Sequence, residues 1–206
     1  MSFALDRRTF LAATLVGAAS QIASRSFAAS DPLSEKAVFY DPEVPVSGNP
    51  KGDVTIVEYF DYQCRYCKEG FPAVARFVAE DGNIRHVLKD WPILGTPSLY
   101  ASRLTLAAGK AHGKAFEALM QTKARLSEEA IDAKLAEAGF EVARLQRAYE
   151  QDKARVDQII SRNNTQAEAF GFFGTPAYVV GNVVLPGVAQ LDEFKRAVDK
   201  ARSEEG

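Results

Sequence analysis

Apolar positions along the chain change period five times. From Val54 to Phe60, β-branched and aromatic residues follow one another with little polar alternation, which predicts a central strand covered on both faces. The spacing then predicts a helix from about Cys67 to Val78 that buries Phe71, Val74, Ala75 and Val78, with Pro72 placed to bend it. Gly82-Asn83 turns the chain into a second strand at Ile84 to Leu88. From Ser98 to about Gln166 the period is helical. Leu104, Ala108, Ala111, Ala115 and Leu119 form one run, a second helix starts at Ser127 and stops at Gly139, and Val142, Leu145, Tyr149, Val156 and Ile160 define a third stripe. After Gly174-Thr175-Pro176 the pattern returns to strands, Ala177 to Val180 and Val183 to Leu185, joined by a Gly181-Asn182 hairpin turn. A last helix carries Leu191, Phe194 and Val198 on its apolar side, with acids in its first turn and Lys200 and Arg202 near its end.

Residues before Val54 read differently. Pro32, Pro42, Pro45, Gly48, Pro50 and Gly52 deny Ser30 to Gly52 a long helix, leaving a leader with one short strand expected at Ala37 to Tyr40. Ahead of it, Arg7 and Arg8 precede an uncharged run from Thr9 to Ser24, and Ser26-Phe27-Ala28 places small residues at both cleavage-determining positions. That run is 16 residues long and contains Gln21, short of the ~20 apolar residues of a membrane span, so residues 1–28 read as a cleaved export signal. The paired arginines resemble a twin-arginine signal, which is an address rather than an anchor. Its removal leaves 22 basic and 26 acidic residues, interspersed, which offers no basic field to nucleic acid.

Export changes what the cysteines mean, because disulfides persist outside the cytosol and thiol-bearing exported proteins come within reach. There are two, Cys64 and Cys67, in a single Cys-x-x-Cys at the junction of the central strand and the first helix. The helix N-terminus faces Cys64 and favours its thiolate, Arg65 adds a nearby positive charge, and Cys67 one turn later is the resolving thiol. The same spacing is half of a zinc or iron-sulfur ligand set. With no third cysteine and with His86 and His112 the only histidines, the other half cannot be drawn, so neither metal nor cofactor is expected. His112 is expected to pack on its helix, and His86, inside a strand, to be structural.

The order β-α-β, helices, β-β-α matches an α/β thioredoxin fold interrupted by an all-helical domain. Phe60-Asp61-Tyr62-Gln63-Cys64-Arg65-Tyr66-Cys67-Lys68, Lys89-Asp90-Trp91-Pro92-Ile93-Leu94-Gly95 and Gly174-Thr175-Pro176-Ala177-Tyr178 resemble the DsbA family of periplasmic proteins, in the right order across the chain after residue 28. The resemblance implies a leader at 29–52, a thioredoxin domain split between 53–96 and 167–206, and a helical insertion at 97–166. It also implies that Pro176 is cis and that Thr175 and Pro176 face the cysteines, where the backbone offers an extended client segment an edge to pair with. Glu58, six residues before Cys64, matches an acidic position beneath the active site from which a carboxyl can relay the Cys67 proton. Arg65 and Tyr66 depart from the Pro-His of strong oxidants in the family, and so tune the redox power.

Three functional classes follow. The first is a periplasmic dithiol oxidase that passes the Cys64–Cys67 disulfide to reduced exported proteins and is reoxidised by a DsbB-like membrane partner. The second is an isomerase or reductase held reduced by a DsbD-like partner. The third is a non-catalytic chaperone or Cu(I)-binding module.

Overall fold

A computed structural model describes residues 31–205. The export signal read for residues 1–28 lies outside the described residues. In chain order the elements are α1 (Glu35–Phe39), β1 (Val46–Gly48), β2 (Val54–Phe60), α2 (Arg65–Asp81), β3 (Ile84–Asp90), α3 (Thr96–Ala107), a 3₁₀ turn (Gly109–Ala111), α4 (His112–Met120), α5 (Glu128–Glu137), α6 (Val142–Gln151), α7 (Lys153–Ala169), β4 (Ala177–Val180), β5 (Val183–Leu185) and α8 (Leu191–Glu205). The strands form one sheet in the order β1-β3-β2-β4-β5, with β2 and β3 parallel and every other pair antiparallel.

The unalternating apolar run of β2 follows from its central place. Ile56 points to the face covered by α2 and α8, among Val74, Phe77, Val78, Phe194 and Val198. Val57 and Tyr59 point to the other face, with Val38 of α1, Val156 and Ile159 of α7, and Trp91 and Phe172. A third cluster gathers the helices between β3 and β4 around Phe116, Leu119, Ile131 and Leu135, and it reaches Phe60, Cys64, Cys67 and Leu88. The two cysteines therefore lie at the seam between the sheet and these helices.

Four expectations are corrected. Ala37 to Tyr40 is not a strand: Ser34 caps α1 by accepting from the Ala37 N–H at 3.3 Å, and Glu35 suits its first turn. The leader does supply a strand, β1, whose three residues are too few to show a period. The run from Leu104 to Leu119 is two helices divided at Gly109, whose φ is +56°, and the stripe from Val142 to Ile160 breaks at Asp152 into α6 and α7. Leu191 is 44% exposed at the start of α8, so the buried stripe of that helix begins at Phe194.

Lys89, wholly buried on β3, ties the leader down: its Nζ donates to the Ala37 carbonyl at 2.9 Å and lies 3.9 Å from Asp41, which Arg162 of α7 pairs at 2.6 Å. At the opposite end Arg202 bridges Asp53 and Asp81, fastening α8 to the start of β2 and the end of α2.

Candidate active site

The helix around the cysteines begins two residues before the expected Cys67, because Cys64 itself is the N-cap of α2. Its backbone is extended (φ −71°, ψ 115°) and its Sγ accepts from the Cys67 N–H at 3.2 Å. Across the cleft, the Thr175–Pro176 peptide is cis, and the Cys64 thiol donates to the Thr175 carbonyl at 3.1 Å. Hydrogen bonding from the Cys67 side chain, then from the Thr175 side chain and from the Cys67 and Tyr66 N–H groups, outweighs desolvation and brings the Cys64 thiol down to about 6. Cys67, 1% exposed, moves the other way: burial pushes its thiol far up, and the neighbouring Cys64 adds to the shift. One thiol of the pair is thus an anion at neutral pH and the other keeps its proton.

Arg65 does not turn its charge onto Cys64. Its side chain is 81% exposed and its Nε donates to Glu69 one turn along α2 at 2.7 Å. Tyr66 is 59% exposed at the same rim. Glu58 is 3% exposed on β2, on the sheet face that α2 covers. It accepts from Tyr178 Oη at 3.5 Å and lies 2.8 Å from His86 Nε2. His112 is buried against Phe116 with its Nε2 3.4 Å from Asp90, so it packs inside the helical layer and not at the cysteines. Among the described residues no three metal-ligating side chains gather.

Two residues that hold the site went unassigned in the sequence. The carboxylate of Asp61 accepts from Gln63 N–H (2.7 Å), Leu94 N–H (2.9 Å) and Ser98 Oγ (2.6 Å), locking the loop before Cys64 to the loop after β3 and to α3. Gln63 makes a reciprocal pair with Leu126, its Nε2 donating to the carbonyl at 2.6 Å and its Oε1 accepting from the N–H at 2.9 Å. Lys68 adds a bond to the Ala124 carbonyl at 2.9 Å. An acid placed two residues before a backbone N–H, as in an Asx turn, was the available signal for Asp61. Gln63 had none, because its partner lies 63 residues away.

A dithiol on the N-terminus of a helix that follows a central strand, faced by a cis-proline loop and flanked by inserted helices, defines a thioredoxin-fold protein built for disulfide exchange. The DSBA-like thioredoxin domain matches residues 55–199, and the chain belongs to that family, whose thiol:disulfide interchange proteins are disulfide oxidoreductases. It is 26% identical over 174 residues to the thiol:disulfide interchange protein DsbA of Bordetella parapertussis, covering 81% of this chain and 82% of that protein. The crystal structure of a thioredoxin-like oxidoreductase from Silicibacter pomeroyi DSS-3 superposes with a TM-score of 0.79 at 37% identity, covering 82% of this chain and 98% of that one. Over 65 residues the chain is also 35% identical to the Na(+)/H(+) antiporter NhaA 1 of Salinispora arenicola, of which it spans 10%.

Proposed function

We propose that this protein is a periplasmic dithiol oxidase: the Cys64–Cys67 disulfide is passed to the thiols of exported proteins, and a DsbB-like membrane partner regenerates it. The single observation that supports this direction is the opposed displacement of the two thiols. An oxidant is a disulfide whose reduced form is stabilised, and a Cys64 thiol at about 6 is about nine-tenths thiolate at pH 7, against a few per cent for a free cysteine. In the forward reaction a client thiolate attacks Cys64 Sγ, and the Cys64–Cys67 bond breaks with its electron pair on Cys67, which takes up a proton. A second client thiolate then attacks the client sulfur of the mixed disulfide, and Cys64 leaves as the stabilised thiolate. The client loses two electrons and the pair gains them.

Thr175 and Pro176 position the client sulfur, since the Thr175 carbonyl already touches Cys64. Phe173, fully exposed two residues before Thr175, and the half-exposed Ile93, Leu94 and Tyr66 offer apolar contacts to an unfolded client. Export through the N-terminal signal, by the twin-arginine route, brings the chain to such clients.

Equilibration of the Cys64–Cys67 pair with glutathione buffers tests the reading. A reduction potential above ~−180 mV is expected for an oxidase. A potential near ~−250 mV or below would make the protein a reductase or isomerase held reduced by a DsbD-like partner.

A further inference from the structure

Residues 29–206 carry 22 basic and 26 acidic side chains, yet the surface between Cys64 and the α4–α5 loop is basic. Arg65 follows Cys64 directly, and Lys68 sits one helical turn along α2, its N–H donating to the Cys64 carbonyl at 3.2 Å. Between α4 and α5 the chain adds Lys123 and Arg125. This loop is held against the redox site from three directions. Lys68 Nζ donates to the Ala124 carbonyl at 2.9 Å, Gln63 clasps Leu126 through both ends of its amide, and Arg125 Nη2 lies 3.4 Å from the Leu94 carbonyl. The backbone that carries both loop cations is thus fixed relative to Cys64.

Arg65, Lys68 and Lys123 line a groove of about 470 Å³ between α2 and the end of α4, together with the apolar side chains of Phe71 and Met120. A volume of this size is that of a ligand cleft. Glu69 is its one acid among the described residues, and Arg65 already engages it at 2.7 Å. Lys68 and Lys123 therefore set the sign of the groove. Lys123 is exposed, and the Lys68 ammonium keeps donors beyond its bond to Ala124. We propose that this groove receives the residues flanking a client cysteine and that the protein prefers clients whose flanking residues are acidic. This rests on the disulfide-exchange reading above and names its substrate class. With the client sulfur at Cys64, a neighbouring Asp or Glu meets Lys68 and Lys123 while an apolar neighbour packs on Phe71 and Met120. A basic segment is repelled at the same place.

Oxidation of two dithiol peptides by the oxidised protein tests the preference. The peptides share their apolar residues and differ in carrying aspartates or lysines beside the cysteines. One peptide thiolate attacks Cys64 Sγ, and the electron pair of the Cys64–Cys67 bond goes to Cys67, which takes up a proton. The second peptide thiolate then closes the peptide disulfide and expels Cys64 as thiolate, so the peptide loses the two electrons that the pair gains. Each rate is divided by that of the same peptide with neutral 2-hydroxyethyl disulfide, which removes the effect of flanking charge on the peptide thiols themselves. The acidic peptide is expected to react about tenfold faster at low ionic strength, with the advantage shrinking as salt is added. The net negative charge of residues 29–206 acts in the opposite sense, so such an advantage must arise locally.

Two variants locate the charge that matters. Lys123→Glu, at an exposed position of the α4–α5 loop, should cut the advantage of the acidic peptide about threefold or more. Lys200→Glu makes the same change of net charge near the end of α8, at the opposite end of the molecule, and should leave the advantage as it is. Equal corrected rates for the two peptides, or a faster basic peptide, overturn the proposal. So does an advantage that Lys123→Glu leaves intact, or one that Lys200→Glu lowers by as much. If the unaltered protein oxidises neither peptide, the disulfide-exchange reading falls and takes the preference with it.

Discussion

Two residues separate Cys64 from Cys67, and the fold drives their thiols in opposite directions because one caps a helix and the other lies inside it. Protons and electrons are then coupled unequally. Below pH about 6, reduction of the pair takes up two protons with two electrons and the potential falls by about 59 mV per pH unit. Above it, Cys64 stays a thiolate, one proton is taken up, and the slope halves to about 30 mV per pH unit. Glutathione titrations between pH 5 and 8 should show that break near 6, and a single steep line throughout would mean that Cys64 is not displaced. At this scale the dithiol was fully legible, since two cysteines in one short motif leave no other pairing. Arg65 was legible as a charge but not in its direction, because Glu69 competes for it one turn away. The partnership of His86 with Glu58 was not legible at all, since the two are 28 residues apart and only the parallel register of β2 with β3 brings them together.

At the scale of elements, what the sequence disclosed depended on length and on local chemistry. The seven residues of β2 and the hairpin of β4 and β5 carry enough β-branched residues, and a clear enough turn, to be read with their bounds. The 17-residue α2 was found but placed two residues late, since a cysteine is not an obvious cap. In the leader, a strand was expected where Ser34 and Glu35 start a helix, and β1 was missed because pairing with β3, not its own three residues, makes it a strand. Gly48 ends β1 at φ +68°, and a Cβ there would stand 2.6 Å from the Ile84 carbonyl and from Val78. Gly48→Ala should therefore cost about 1–3 kcal/mol, through a strained backbone and a displaced edge strand. Urea unfolding reads the loss. Because Ser47 precedes it, the same variant should also disturb the hydrogen bond from Ser47 to His86, visible as a shift of the His86 ring resonances. Unchanged stability would mean that β1 is not held at this register.

For the whole molecule, redox state and stability are linked through the pair alone. The buried Lys89 with Asp41 and Arg162 and the Arg202 bridges involve neither cysteine, so their own pH dependence is expected to cancel in the difference between the oxidised and reduced forms. Closing the short ring constrains the unfolded oxidised chain by an amount independent of pH. What remains is the ionisation of the cysteines in the reduced form. Cys64 is depressed on folding, so its contribution is complete above the unfolded thiol range near 8.5 and is lost as pH falls through about 6. Cys67 is raised, so its contribution stays constant below that range and is lost only as pH climbs beyond it. The stability of the reduced protein relative to the oxidised one should therefore rise by about 2 kcal/mol between pH 5 and pH 8, after discounting for partial solvent access to Cys64. For a chain of this size that is about 4–8 °C in the gap between the two unfolding midpoints, measurable by calorimetry of the two forms side by side. A gap that does not move with pH would show that folding leaves Cys64 with the acidity of a free cysteine, and an oxidase could not then draw its driving force from that thiolate.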